Sequence, residues 1–128
     1  MFQTPEILGM AASMAGNAAT RMSAIAQNVA NADTPGYRAK DVQSFAESYR
    51  AESGLHLRTT RPGHFAGAVA TAGPNLTVRP GGHASPNGNN VSLEDEMMTA
   101  AVIRQDHDMA LTIYKKSLDI LRASLGRR

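Results

Sequence analysis

The sequence predicts a mainly α fold: long N- and C-terminal helices packed as an antiparallel coiled-coil hairpin. They are joined by an irregular Gly/Pro-rich middle that holds a short helix and a short β-hairpin. Three observations carry this expectation. Apolar residues recur at three- and four-residue spacings at both ends of the chain but not between them. Seven of the eleven glycines and four of the six prolines fall between Gly54 and Asn90, and no Asp or Glu occurs between Glu52 and Glu94. The octet Ala30-Asn31-Ala32-Asp33-Thr34-Pro35-Gly36-Tyr37 stands where the first periodic stretch has to stop. The chain therefore divides into 1–37, 38–90 and 91–128, with one domain formed by the two terminal helices.

The first helix is expected from Thr4 to about Ala32. Thr4 suits an N-cap, Pro5 the first helical position and Glu6 the positive end of the helix dipole. Ile7, Met10, Met14, Ala18, Met22, Ile25 and Val29 then mark one face, while Ala11, Ala12, Ala15 and Ala19 add small side chains that let another backbone approach. In the octet, Thr34 precedes a proline and is pushed out of the α region. Pro35 fixes its own φ, Gly36 permits a positive φ, and Asn31 and Asp33 bring side chains that hydrogen-bond nearby backbone. The octet reads as a device that stops a helix and reverses the chain.

In the middle, Val42, Phe45, Ala46 and Tyr49 predict a short helix within Asp41 to Ser53. Leu55 to Thr60 and Leu76 to Arg79 predict two short strands paired as a hairpin. The last helix is expected from Ser92 towards Leu125. Ser92 followed by Asp95, with Glu94 and Glu96 in the first turn, is an N-terminal capping signal. Leu93, Met97, Ala100, Ile103, Leu111, Tyr114, Leu118, Leu121 and Leu125 form its apolar stripe, interrupted by His107, and Arg122, Arg127 and Arg128 complement the dipole at its end. Both helices carry apolar surface on more than one side. A two-helix hairpin cannot cover that, so lateral packing against copies or relatives completes the burial.

Composition agrees. In 128 residues there is no Cys or Trp, with three Phe, three Tyr and seven Met, so large aromatics are too scarce for a thick autonomous core. Disulfides and thiolate chemistry are excluded. A net charge of +2 without a clustered basic face counts against nucleic acid as a partner. The first fifteen residues lack a basic leader, and Glu6, Gly9 and Gly16 interrupt any apolar run. Export, if it occurs, is expected without a cleavable signal peptide.

As a whole, Ala30 to Tyr37 resembles the signature Ala-Asn-x-x-Thr-Pro-Gly-Tyr of the axial proteins of the bacterial flagellum: rod, hook and hook-associated proteins. The run Gly88-Asn89-Asn90-Val91-Ser92-Leu93-Glu94-Asp95-Glu96-Met97 is similar to the stretch that leads into the C-terminal helix of the FlgB-type proximal-rod family. Asn87 stands where that family often has Asp. Short length, and the lack of the Ala-x-Arg-x-Tyr-Glu-x-Asn stretch of the neighbouring rod proteins, point the same way. The resemblance covers both termini, about half the chain. It implies a structural subunit that assembles helically into the proximal rod, the drive shaft between the MS ring and the distal rod and hook. It also implies residence in the periplasmic part of the basal body, transit through the flagellar type III export apparatus, and as partners copies of itself, the proximal-rod protein FlgC and the junction protein FliE. Ile7, Met14, Ile25, Val29, Ile103, Leu111, Tyr114, Leu118, Leu121 and Leu125 are the expected assembly stripe. The competing reading is a soluble helical adaptor or export chaperone for axial proteins.

No residue pattern calls for catalysis, a cofactor or a small-molecule substrate. His56, His64 and His83 lack metal-ligand spacing, and His107 lies between Asp106 and Asp108 on a helix, where adjacent residues point to different sides. Glu94, Asp95 and Glu96 read as dipole complements rather than acid/base carboxylates, and Ser92 as a cap rather than a nucleophile. Gly81, Gly82 and Gly88 form no phosphate-binding fingerprint. Arg58, Arg61 and Arg79 read as an unopposed basic middle. Phe45-Ala46-Glu47-Ser48-Tyr49 is similar to a Phe-x-x-x-hydrophobic export-gate element, and helix packing accounts for its aromatics equally well.

Overall fold

The computed structural model describes residues 6–52, 76–79 and 85–126. Its elements are α1 (Glu6–Ala30), β1 (Lys40–Val42), α2 (Phe45–Glu52), β2 (Leu76–Val78) and α3 (Leu93–Ser124). The fold is the mainly helical hairpin expected, with α1 and α3 spanning about 37 and 48 Å at 1.5 Å per residue. They run antiparallel. Asn28, near the end of α1, bonds Glu96 in the first turn of α3, while Ile7 at the start of α1 lies with Ser117, Ile120 and Leu121. The proposed caps Thr4 and Pro5, the basic residues Arg127 and Arg128, and the segment Leu55 to Thr60 lie outside the described residues.

Local chemistry sets the ends of each element. Ser92 caps α3 from an extended conformation, its Oγ accepting from the Asp95 N–H at 3.3 Å. At the other end Gly126, at φ +81°, carries the chain out of the helix. α2 starts on a reciprocal capping box: the Ser44 N–H donates to Glu47 Oε2 at 3.1 Å, and the Glu47 N–H donates to Ser44 Oγ at 3.4 Å. The short helix thus begins at Phe45, not at Asp41, because Lys40–Val42 is drawn into a sheet. The strand Leu76–Val78 is paired antiparallel with Lys40–Val42 (Lys40 opposite Val78, Val42 opposite Leu76), while Leu55 to Thr60, its expected partner, lies outside the described residues.

The seam between the long helices is made of small side chains. On α3 the buried positions Glu96, Ile103, Ala110 and Ser117 recur every seven residues, and Ala11, Ala18 and Ile25 do the same on α1. Ile103, 1% exposed, is the largest side chain wholly enclosed there and packs on Ala18, Ile25, Met22 and Ala100. Burying it contributes roughly 1.5–3 kcal/mol. Small residues let the two backbones approach, which turns the larger apolar side chains onto the flanks. Most of the stripe read from the sequence is therefore not the intramolecular contact.

Candidate functional site at the turn end of the hairpin

The octet does locally what its residues dictate. After α1 ends at Ala30, the Asn31 N–H reaches the carbonyls of Gln27 and Asn28 at 3.2 and 3.1 Å, and its side-chain amide donates to the Gln27 carbonyl at 2.7 Å. A turn over Thr34-Pro35-Gly36-Tyr37 follows, closed by the Tyr37 N–H on the Thr34 carbonyl at 3.3 Å, with Gly36 at φ +72° in the third position. That is the type II pattern, in which a side chain at the third position is strained. Capping is the work of Asn31; Asp33 is exposed and joins none of the described hydrogen bonds.

The approach to α3 folds back onto this turn. Asn89, 2% exposed, points its amide nitrogen at the carbonyls of Asn31, Ala32 and Thr34, at 3.0, 2.6 and 2.9 Å, and accepts the Val91 N–H on its oxygen at 2.8 Å. Two hydrogens are thus shared among three carbonyls just beyond the end of α1, of which those of Asn31 and Thr34 also accept the Thr34 and Tyr37 N–H groups. Gly36 donates its N–H to the Asn87 carbonyl at 3.0 Å, and Asn90 accepts the Ala39 N–H on its side chain at 2.7 Å. Gly88, at φ +81°, lies against Gly36; a Cβ there would sit 3.6 Å from Gly36 Cα, an ordinary contact. Its backbone conformation, more than space, calls for glycine. The two motifs found at distant points of the sequence form one clamp.

Beneath the clamp is a buried polar cluster that sequence reasoning missed. Asn28, 0% exposed, uses its whole amide. Its nitrogen donates to the Lys40 carbonyl at 2.8 Å and to Glu96 Oε2 at 3.1 Å, and its oxygen accepts from the Lys40 N–H at 2.9 Å and the Tyr37 hydroxyl at 3.3 Å. Lys40 meets Asn28 as it would meet a neighbouring strand, so this side chain stands in for a third strand beside β1. Glu96, 1% exposed, takes Arg79 Nη1 on its other oxygen at 2.9 Å. Arg79 also reaches Asp41 at 3.3 Å, and Asp41 receives Arg21 from α1 at 3.4 Å. Burial pushes the Asp41 carboxyl up, but hydrogen bonds from Arg21, the Val42 N–H and Arg79, together with the Arg21 charge, outweigh it and hold the pKa below the ordinary value.

One expectation is corrected here and another is extended. Arg79 is not an unopposed cation but bridges two acids; Arg58 and Arg61 lie outside the described residues. Glu96 stands in the first turn of α3 with the exposed Glu94 and Asp95, and is in addition a buried ion-pair partner of Arg79. The one signal available for it was its seven-residue spacing from Ile103.

The remaining residues of interest are spread along the hairpin. Ile25 and Ile103 are in the seam, while Met14, Leu118 and Leu121 are half-buried beside it. Ile7, Val29, Leu111, Tyr114 and Leu125 are exposed, as are Ala30, Thr34, Pro35 and Met97; Val91 is half-buried. Phe45 and Tyr49 stack on each other with ring centroids 5.8 Å apart. His107 is half-buried, its Nδ1 3.8 Å from Asp108, and the other three histidines lie outside the described residues. No group among the described residues has the makings of a metal site, and no described helix is long and apolar enough to cross a membrane.

The family described as Flagella basal body rod protein matches residues 10–38, which run from α1 through the octet and its turn. Flagellar basal body rod protein FlgB of Cereibacter sphaeroides is 31% identical over 106 residues, 83% of this chain and 83% of the relative. The chain belongs to the FlgB family of flagellar basal body rod proteins. FlgB of Agrobacterium fabrum is 29% identical over 119 residues, covering 88% of this chain and 87% of the relative, and that of Salmonella typhimurium is 32% identical over 108 residues, 78% of each. These matches run well beyond the two motifs, so the similarity to the family includes the middle as well as the two termini.

Proposed function

We propose that the chain is a structural subunit of the flagellar rod, at its proximal end in the periplasm, between the MS ring and the distal rod and hook. A structural role in the rod follows from membership of the family. The observation that supports the mechanism is the distribution of side-chain size. The intramolecular seam uses Ala11, Ala18, Ala110 and Ser117, whereas Met98, Val102, Ile120 and Leu125 are 72%, 57%, 69% and 85% exposed. Such a hairpin is closed by its own small residues and keeps its large apolar side chains for neighbours. Torque then passes through many small lateral contacts that together resist shear.

In this reading the expected stripe is divided. Ile25 and Ile103 hold the hairpin, and Ile7, Met14, Val29, Leu111, Tyr114, Leu118, Leu121 and Leu125 meet copies of the chain or the neighbouring proteins FlgC and FliE. The two motifs, Ala30 to Tyr37 and Gly88 to Met97, set the turn end. The role is mechanical, not catalytic. Helices left incompletely packed before assembly suit a chain that passes through the type III export apparatus without a cleaved signal peptide. A soluble adaptor or export chaperone is disfavoured, since the matched family is one of rod proteins.

Electron microscopy of basal bodies from a strain lacking the gene tests this reading. Rings without a rod, restored by the intact gene with labelled protein found in the restored rod, are expected. Complete rods in the deletion strain, or restored rods free of label, would overturn it.

A further inference from the structure

The strand β2 is held in an unusual way. Leu76, Thr77 and Val78 are all exposed, so almost no apolar burial keeps the segment in place. Among the described residues its backbone meets only the short β1, with the Arg79 N–H on the Ala39 carbonyl at 2.9 Å as the last rung and Thr77 Oγ1 on the Asp41 carbonyl at 3.2 Å. A two-stranded sheet of three residues per strand is not stable by itself. What ties the segment to the hairpin is the Arg79 guanidinium, one arm on Asp41 and the other on Glu96. Those acids come from different elements. Asp41 is positioned by Arg21 of α1 and by the Lys40–Asn28 pairing, and Glu96 is brought by α3 to the same Asn28. Neither α1 with β1 nor α3 alone presents both.

We propose that residues 76–79 are a strap that closes last, clasped by Arg79 onto two acids that only the formed α1–α3 hairpin brings together. Closure of the strap then reports closure of the hairpin, and the order is enforced by geometry: a guanidinium with two separated arms gains little from either acid alone at the surface but has both desolvated partners at once in the finished cluster. Residues 76–79 are thereby kept from locking until the terminal helices have paired. The strap needs both Asp41 and Glu96 in place, while Ile103 and Ala110 of the seam do not take part in the clasp.

Hydrogen exchange on the full chain tests this, with helix content followed in parallel. Arg79→Ala is expected to speed exchange of the amide at position 79 and its neighbours at least tenfold, while the amides around Ile103 and Ala110 stay within twofold of wild type. Glu96→Gln should loosen the strap in the same sense. If burial of an unpaired Glu96 destabilises the Arg79 variant globally, Arg79→Met with Glu96→Gln removes both charges and should keep the helices while the strap still exchanges fast. Lys40 and Val78 are directly opposed. The pair Lys40→Cys and Val78→Cys, oxidised in a chain with no other cysteine, should restore slow exchange to Arg79→Ala. An unchanged strap in Arg79→Ala, or a strap that loosens only together with the seam, would overturn the proposal.

Discussion

The two ends of the hairpin are built on different physics. At the turn end, Asn28, Asn89, Glu96, Arg79 and Asp41 are tied by directional bonds, and among the described residues no buried side-chain donor or acceptor there lacks a partner. At the far end, Leu8 and Ala11 are buried, and an apolar groove is lined by Ile7, Ser117, Ile120 and Leu121. Hydrogen-bonded amides allow one geometry and penalise every other, because a buried group left unpaired costs about 1–3 kcal/mol. Small apolar contacts are nearly indifferent to sliding and rotation by a few degrees. One end therefore fixes the angle at which the helices leave the turn, and the other stays adaptable to whatever packs beside it. A subunit in a helical assembly needs both.

The contrast is broken most severely at Asn28. Asn28→Ala removes four hydrogen bonds and leaves Glu96 and the Lys40 backbone short of partners, so a loss of about 3–5 kcal/mol is expected from urea unfolding. A loss below about 1 kcal/mol would mean that the cluster is decoration. Next is Ile103→Ala, at about 2–4 kcal/mol, since it removes the largest side chain wholly enclosed by the seam. Gly36→Val forces a β-branched residue to φ +72° and should cost about 1–2 kcal/mol and impair rod assembly. Wild-type stability and rods in that variant would show that the turn does not need the positive φ.

Acid sharpens the comparison more gently. The folded pKa of Asp41 lies below its ordinary value of 3.8, so its stabilisation is complete above that pH and drains away as pH falls through the folded value. The stability gap between the wild type and Asp41→Asn should therefore shrink on going from about pH 5 to pH 3. A gap that stays constant would show that the ion pairs do not hold the turn end. The smallest effect on the isolated chain belongs to the far end: Ile120→Asp should change stability by less than about 0.5 kcal/mol and yet block incorporation into the rod. Leu118→Asp and Leu121→Asp, which are half-buried, should block incorporation with a larger loss of stability. Normal motility in all three would contradict the outward role of these faces.

Much of this was legible in the sequence. The capping at Ser92, the stop at Ala30 and the turn at Gly36 are local events, set by residues within a few positions of one another. The helical periodicity was legible too, but not which of several apolar strips faces inward. Ile7, Met10, Leu111 and Tyr114 stand out in the sequence because they are large, whereas close packing within the hairpin selects Ala11, Ala18, Ala110 and Ser117 because they are small. The polar cluster was hidden for another reason. Asn28 and Glu96 are 68 residues apart in sequence, and an Asn or Glu on a helix reads as solvated until the opposite element is known. Arg79 looked unopposed for the same reason: its acids lie beyond a stretch of chain without acidic residues.

Residue-resolved hydrogen exchange on the isolated chain tests most directly the claim that one end is fixed and the other waits for neighbours. The account predicts that amides near the turn, in the last turns of α1 and the first turns of α3, exchange at least tenfold more slowly than those flanking Ile7, Leu8, Ser117 and Leu121. Uniform protection along both helices, or slower exchange at the far end, would contradict it.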